Sequence, residues 1–110
     1  MPQPSGGTPK DAPGTITRPR AKTKLKPPSM WQIILHNDDF TTQEFVVWVL
    51  RTVFHKPQGE AVRIMLDVHQ HGKGVAGVYT RDVAETKLAQ VQRLAEAQEF
   101  PLLCTMEPEA

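Results

Sequence analysis

The run Asn37-Asp38-Asp39 sets an amide beside two carboxylates, between the apolar stretch Ile33–Leu35 and a segment that opens a helix. Two chemistries fit it. Asn and Asp side chains accept hydrogen bonds from nearby backbone donors, so the group can serve a turn. It can equally hold a cation. A protonated α-amine is tetrahedral with three donors, and its binder needs converging acceptors of which at least one is charged. In that second reading Asp38 supplies the charge, Asn37 an amide oxygen and neutral His69 a ring nitrogen. Met65 stands one helical turn before His69, and with Val46 and neighbouring apolar residues it could wall a pocket for the side chain such an amine carries.

The helix start beside these acids bears on the choice. Thr41 followed by Glu44 has the spacing of a capping box, and Phe40 ahead of it can staple to Phe45. With Thr41 as the cap, the acids are surplus to capping and free to face outward. Other chemistries fit less well. His36, His69 and His71 fall near the acids, but His69 and His71 are two apart on a helix and point to different faces, and neither an HExxH motif nor paired cysteines occur. No metal or other cofactor is expected. Cys104 lies in an apolar strand, where a free cysteine is usually core rather than nucleophile, and there is no Gly-rich phosphate loop, so an enzyme is not expected.

The elements that must position these residues follow from periodicity. "MWQIILH" (Met30–His36) reads as a strand. Phe45, Val46, Val49, Leu50 and Val53 recur at helical spacing, predicting a first helix over about Thr42–Phe54 that Pro57 terminates from beyond. A second helix is expected over Gln58–His71, with Pro57 suited to its first turn and Gly72 as its stop. "KGVAGVYT" reads as a second strand whose small residues suggest close backbone approach. Thr80 then caps a third helix, Arg81–Ala97, and "FPLLCTME" is a third strand with Pro101 near its start. The order β-α-α-β-α-β predicts an α+β fold with a three-stranded antiparallel sheet packed against three helices.

At 110 residues, 39% hydrophobic and 23% charged, the chain fits one small globular domain. Its longest apolar runs fall far short of the roughly 18 residues a membrane span requires. No apolar segment follows Met1, and one cysteine precludes an internal disulfide, so a cytoplasmic location is expected. The net charge of +1 conceals an asymmetry: residues 1–29 hold six basic residues against Asp11 alone, a net of +5, while residues 30–110 net −4. Seven of the ten prolines also precede Met30, so residues 1–26 are expected to be a disordered basic extension and 27–110 the folded domain. The prolines also argue against an amphipathic mitochondrial presequence there.

The runs "KPPSMWQIILHNDDFT", "IMLDVHQHGKGVAGVYT", "VAETKLAQV" and "PLLCTMEPE", in order from Lys26 to Glu109, resemble ClpS, the adaptor family of the ATP-dependent Clp protease. The resemblance implies an adaptor for N-degrons, proteins whose first residue is Leu, Phe, Tyr or Trp, delivered to the ring unfoldase ClpA, or ClpC in some lineages. It also implies a fold similar to the C-terminal domain of the ribosomal stalk protein. It places amine binding on Asn37, Asp38 and His69, and the side-chain pocket on Leu35, Asp39, Thr41, Val46, Met65, Val68 and Leu102. Unfoldase docking falls on Asp82 and Lys87. The basic extension would take part in hand-off. Two positions depart from the family pattern. Thr41-Thr42-Gln43-Glu44 stands where many members read Thr-Pro-Met-Glu, which puts Gln43 in the pocket and bears on the ranking of first residues. His36 stands where an aliphatic residue is common, and strand alternation should turn it away from the pocket.

Two other functions compete. "TRPRAKTKLK" is a basic arm of the kind that tracks phosphates, but it lacks interleaved aromatics and the acidic body would repel a nucleic-acid backbone. A scaffold role, suggested by the stalk-protein likeness, gives no reason to assemble Asn37, Asp38 and His69. A monomer is expected, with neither nucleic acid nor membrane as partner.

Overall fold

Strand-forming Met30–His36 lies at the centre of the sheet as β1. The computed structural model describes residues 27–109; the expected extension over 1–26 lies outside the described residues. After β1 come α1 (Gln43–Thr52), α2 (Gln58–His71), β2 (Lys73–Thr80), α3 (Arg81–Ala97) and β3 (Leu103–Pro108). Both outer strands pair antiparallel with β1, giving the order β2-β1-β3. The expected α+β architecture is the one observed.

Period-2 alternation along β1 sends Ile33 and Leu35, both fully buried, into the core. There they meet Phe45, Val46, Val49 and Leu50 of α1, Ala61, Ile64 and Val68 of α2, and Ala84, Val91 and Ala95 of α3. Burial of Leu35 and Leu50, each at 0% exposure, stabilises the fold by roughly 1.5–3 kcal/mol apiece.

The boundaries of α2, α3, β1 and β2 agree with the periodicity. The start of α1 does not follow the expected capping. Thr42, not Thr41, is the cap: its backbone is extended (φ −73°, ψ 151°) and its hydroxyl accepts from the Phe45 N–H. Phe45 rather than Glu44 therefore occupies the third helical position, so no capping box forms, and Phe40 is 75% exposed instead of stapled to Phe45. At the far end His55 turns to φ +56°, which closes the chain off after Phe54. Pro57 is the residue before α2 rather than part of its first turn. Thr80 occupies the cap position of α3, yet its hydroxyl donates to Asp82 Oδ1 (2.9 Å) instead of accepting from the helix. β3 begins two residues after Pro101, which has no N–H to give to the ladder.

Two glycines bring the ends of β1 and α2 together. Gly72 stops α2 in the left-handed conformation, φ +89°, with its N–H on the Val68 carbonyl. Its own carbonyl accepts from the Asn37 N–H at 2.9 Å. The last turn of α2 and the loop after β1 are thereby held side by side. At Gly74 a Cβ would stand 3.0 Å from Val68 Cγ2, so β2 leaves the turn pressed against α2.

Candidate functional site

The loop after β1, the first turn of α1 and the last turns of α2 enclose a cavity of about 500 Å³. Its walls are the whole run Asn37–Glu44 with Val46, Met65, Val68 and His69. All of the expected amine-binding residues, Asn37, Asp38 and His69, face this one space. Of the expected side-chain pocket, Asp39, Thr41, Gln43, Val46, Met65 and Val68 line it. Leu35 and Leu102 do not; both are buried in the core cluster that also holds Val46 and Val68. Phe40, Thr42 and Glu44 also line the cavity; the spacing that suggests a staple at Phe40 and a capping box ending at Glu44 gives no sign of it.

Asp38 is not surplus to local structure. Its Oδ1 accepts from the N–H groups of Phe40 (2.8 Å) and Thr41 (2.7 Å), and its Oδ2 accepts from the Thr41 hydroxyl (2.7 Å). The turn reading of this carboxylate is therefore realised, and it is Thr41's engagement here that leaves capping to Thr42. The same bonds prepare the group for a cation. Burial would raise the Asp38 carboxyl, but the Thr41 hydroxyl, the Thr41 N–H and the Phe40 N–H together outweigh it and hold the group below its ordinary 3.8. A carboxylate offers about four acceptor directions. With three taken among the described residues, Oδ2 retains one for an incoming donor.

The histidines separate. His69 lines the cavity, His71 lies 3.9 Å from Asp67, and His36 Nε2 is 2.8 Å from Thr105 Oγ1 on β3, away from the cavity as alternation requires. Among the described residues no group of three or more His, Cys, Asp or Glu side chains could hold a metal. Cys104 is buried in β3, and burial pushes its thiol up to about 12, so it stays protonated and packs as a small apolar side chain.

Asp82 and Lys87 both line a shallow groove on α3 with Val83, Thr86 and Gln90. The Thr80 hydroxyl, then the Val83 N–H, hold the Asp82 carboxyl low. Lys87 is tied inward: its ammonium donates to the Val53 carbonyl at the end of α1 (2.7 Å) and lies 5.2 Å from the Tyr79 ring centre and 6.0 Å from that of Phe54. It satisfies one of the carbonyls left over where α1 ends. Lys87→Met keeps the stem and removes the ammonium, and is expected to destabilise the fold by about 2 kcal/mol from the lost charged hydrogen bond and cation–π contacts. Urea unfolding with an unchanged slope but a lower midpoint would show it; an unshifted midpoint would mean the contact carries no net stability.

Comparison with known proteins adds a likeness over most of the chain. The family model "ATP-dependent Clp protease adaptor protein ClpS" matches residues 26–105. The ClpS adapter protein of Acetivibrio thermocellus is 54% identical over 95 residues, 86% of this chain and 96% of that protein. That of Desulfatibacillum aliphaticivorans is 57% identical over 94 residues, 86% of this chain and 88% of the relative. Among solved structures, Agrobacterium tumefaciens ClpS2 bound to L-phenylalaninamide superposes with a TM-score of 0.72 at 40% identity, covering 76% of this chain and all of that one.

Proposed function

We propose that this chain, which belongs to the ClpS family of ATP-dependent Clp protease adaptors, selects substrates by the free α-amine and bulky apolar side chain of their first residue. The observation that carries the reading is the convergence of Asn37, Asp38 and His69 on one cavity whose remaining wall includes Val46, Met65 and Val68. The likeness to a protein solved with L-phenylalaninamide, a molecule with a free amine and a benzyl side chain, supports it.

In this reading Asp38 neutralises the ammonium through its remaining acceptor direction, while Asn37 and neutral His69 take further N–H donors. The side chain of Leu, Phe, Tyr or Trp fills the apolar end, and Gln43 on its wall sets their ranking. An internal peptide amide brings no cation, so it would leave Asp38 uncompensated in a partly desolvated site. No bond is made or broken. Residues 27–110 act as the adaptor domain, the α3 groove with Asp82 and Lys87 docks the unfoldase, ClpA or ClpC, and the basic extension over 1–26 takes part in hand-off.

The test is fluorescence anisotropy of two labelled peptides that differ only in a Phe or a Gly at the first position. Burying a phenyl side chain yields roughly 2–3 kcal/mol, so the Phe peptide is expected to bind about 30- to 150-fold more tightly. Equal affinities would remove the side-chain pocket from the reading.

A further inference from the structure

The cavity does not end at its own rim. Gln43, Glu44 and Met65 line it and also line a second depression of about 430 Å³, which continues between α1 and α2 past Val47, Trp48, Arg51 and Gln58. Gln43, Val47 and Arg51 recur every four residues and make one side of this groove, parallel to the α1 axis. Trp48 is 47% exposed, an unusual position for so large an apolar surface. Its ring is stacked on Phe45 at 5.8 Å, and Phe45 is in turn 5.0 Å from Phe100, so the indole is backed on one side by packed rings.

We propose that this groove is a second subsite of the same binding surface, taking the third residue of the captured segment, apolar or aromatic, against Trp48. The proposal rests on the amine-pocket reading, and the spacing of the wall residues along α1 sets the register. From Gln43, where the two depressions join, to Trp48 is five helical residues, about 7.5 Å along the axis. An extended peptide covers that distance in about two residues. With the first side chain in the cavity, the third residue arrives at Trp48, and the next comes within reach of the Arg51 guanidinium. The occupant is thus the continuation of the segment whose first residue the cavity holds, because the two depressions share three wall residues.

The experiment compares labelled peptides Phe-Ser-Phe-Ser and Phe-Ser-Gly-Ser, on a common tail, by anisotropy against the wild type, Trp48→Ala and Trp48→Phe. In the wild type the third-position Phe is expected to improve affinity about fivefold, as an aromatic pair of ordinary strength would. That ratio should fall to about one in Trp48→Ala and be largely restored in Trp48→Phe. A wild-type ratio of one, or a preference that survives Trp48→Ala, overturns the subsite while leaving the amine pocket standing. Failure of every Phe-first peptide to bind the wild type overturns both.

Discussion

A Phe-first peptide whose α-amine is acetylated is expected to bind at least about 100-fold more weakly than the free peptide. Acetylation removes the cation and two of its donors. Charge-assisted hydrogen bonds contribute roughly 1.5–3 kcal/mol each, and losing two of them is worth about 100-fold or more. The Asp38 anion would in addition be left facing an uncharged amide in a site from which peptide contact has displaced water. Acetyl is also bulky, so a second peptide is needed. In the des-amino analogue, with 3-phenylpropionyl in place of Phe, the amine is missing and no bulk is added. Both should fail equally if the cation is what the site reads. A des-amino peptide that binds like the parent would show that acetylation merely clashes, and that Asn37, Asp38 and His69 do not grip an amine.

Much of this geometry could be read from local pattern. The bounds of α2 and α3 follow from apolar periodicity bracketed by Pro57, Gly72 and Thr80, and each of these acts within a turn or two of where it stands. Asn37, Asp38 and His69 could be grouped because the chemistry of an amine demands such a set, and Gly72 brings them together by passing its carbonyl to the Asn37 N–H. Where side-chain bonding decides between neighbours, local pattern misleads: the Thr41–Glu44 spacing points to Thr41 as the cap, and Thr42 serves instead. Thr41 and Thr42 are both good caps, and which one serves depends on whether Asp38 takes the other. Lys87 illustrates the other limit: its bond to the Val53 carbonyl joins positions 34 apart in sequence, and no spacing rule within α3 announces it. Leu35 and Leu102 are apolar residues next to a pocket, and only packing decides that they belong to the core behind it.

Asp38→Ala and Asp38→Asn are expected to part company in stability while agreeing in binding. Alanine removes both oxygens that accept the three turn bonds, leaving the N–H groups of Phe40 and Thr41 and the Thr41 hydroxyl without their partner. The turn is partly exposed and water can replace some of these bonds, so the loss should be about 1–2 kcal/mol. Asparagine keeps an oxygen at the Oδ1 position for both N–H groups, and its amide can donate to the Thr41 hydroxyl, so most of the turn survives. What Asn lacks is the charge. Both variants should therefore lose Phe-first peptide binding by about 100-fold or more, the size expected for withdrawing the anion from a charge-assisted contact. Stability against pH separates the roles further. Because the folded Asp38 carboxyl is held below its ordinary 3.8, its contribution is fully present above that value and is lost as pH falls through the lower, folded one. The stability gap between wild type and Asp38→Asn should accordingly be constant near neutrality and close in strong acid. An Asp38→Asn protein that binds the free Phe peptide as the wild type does would falsify the charge-recognition mechanism and leave Asp38 as a turn residue alone.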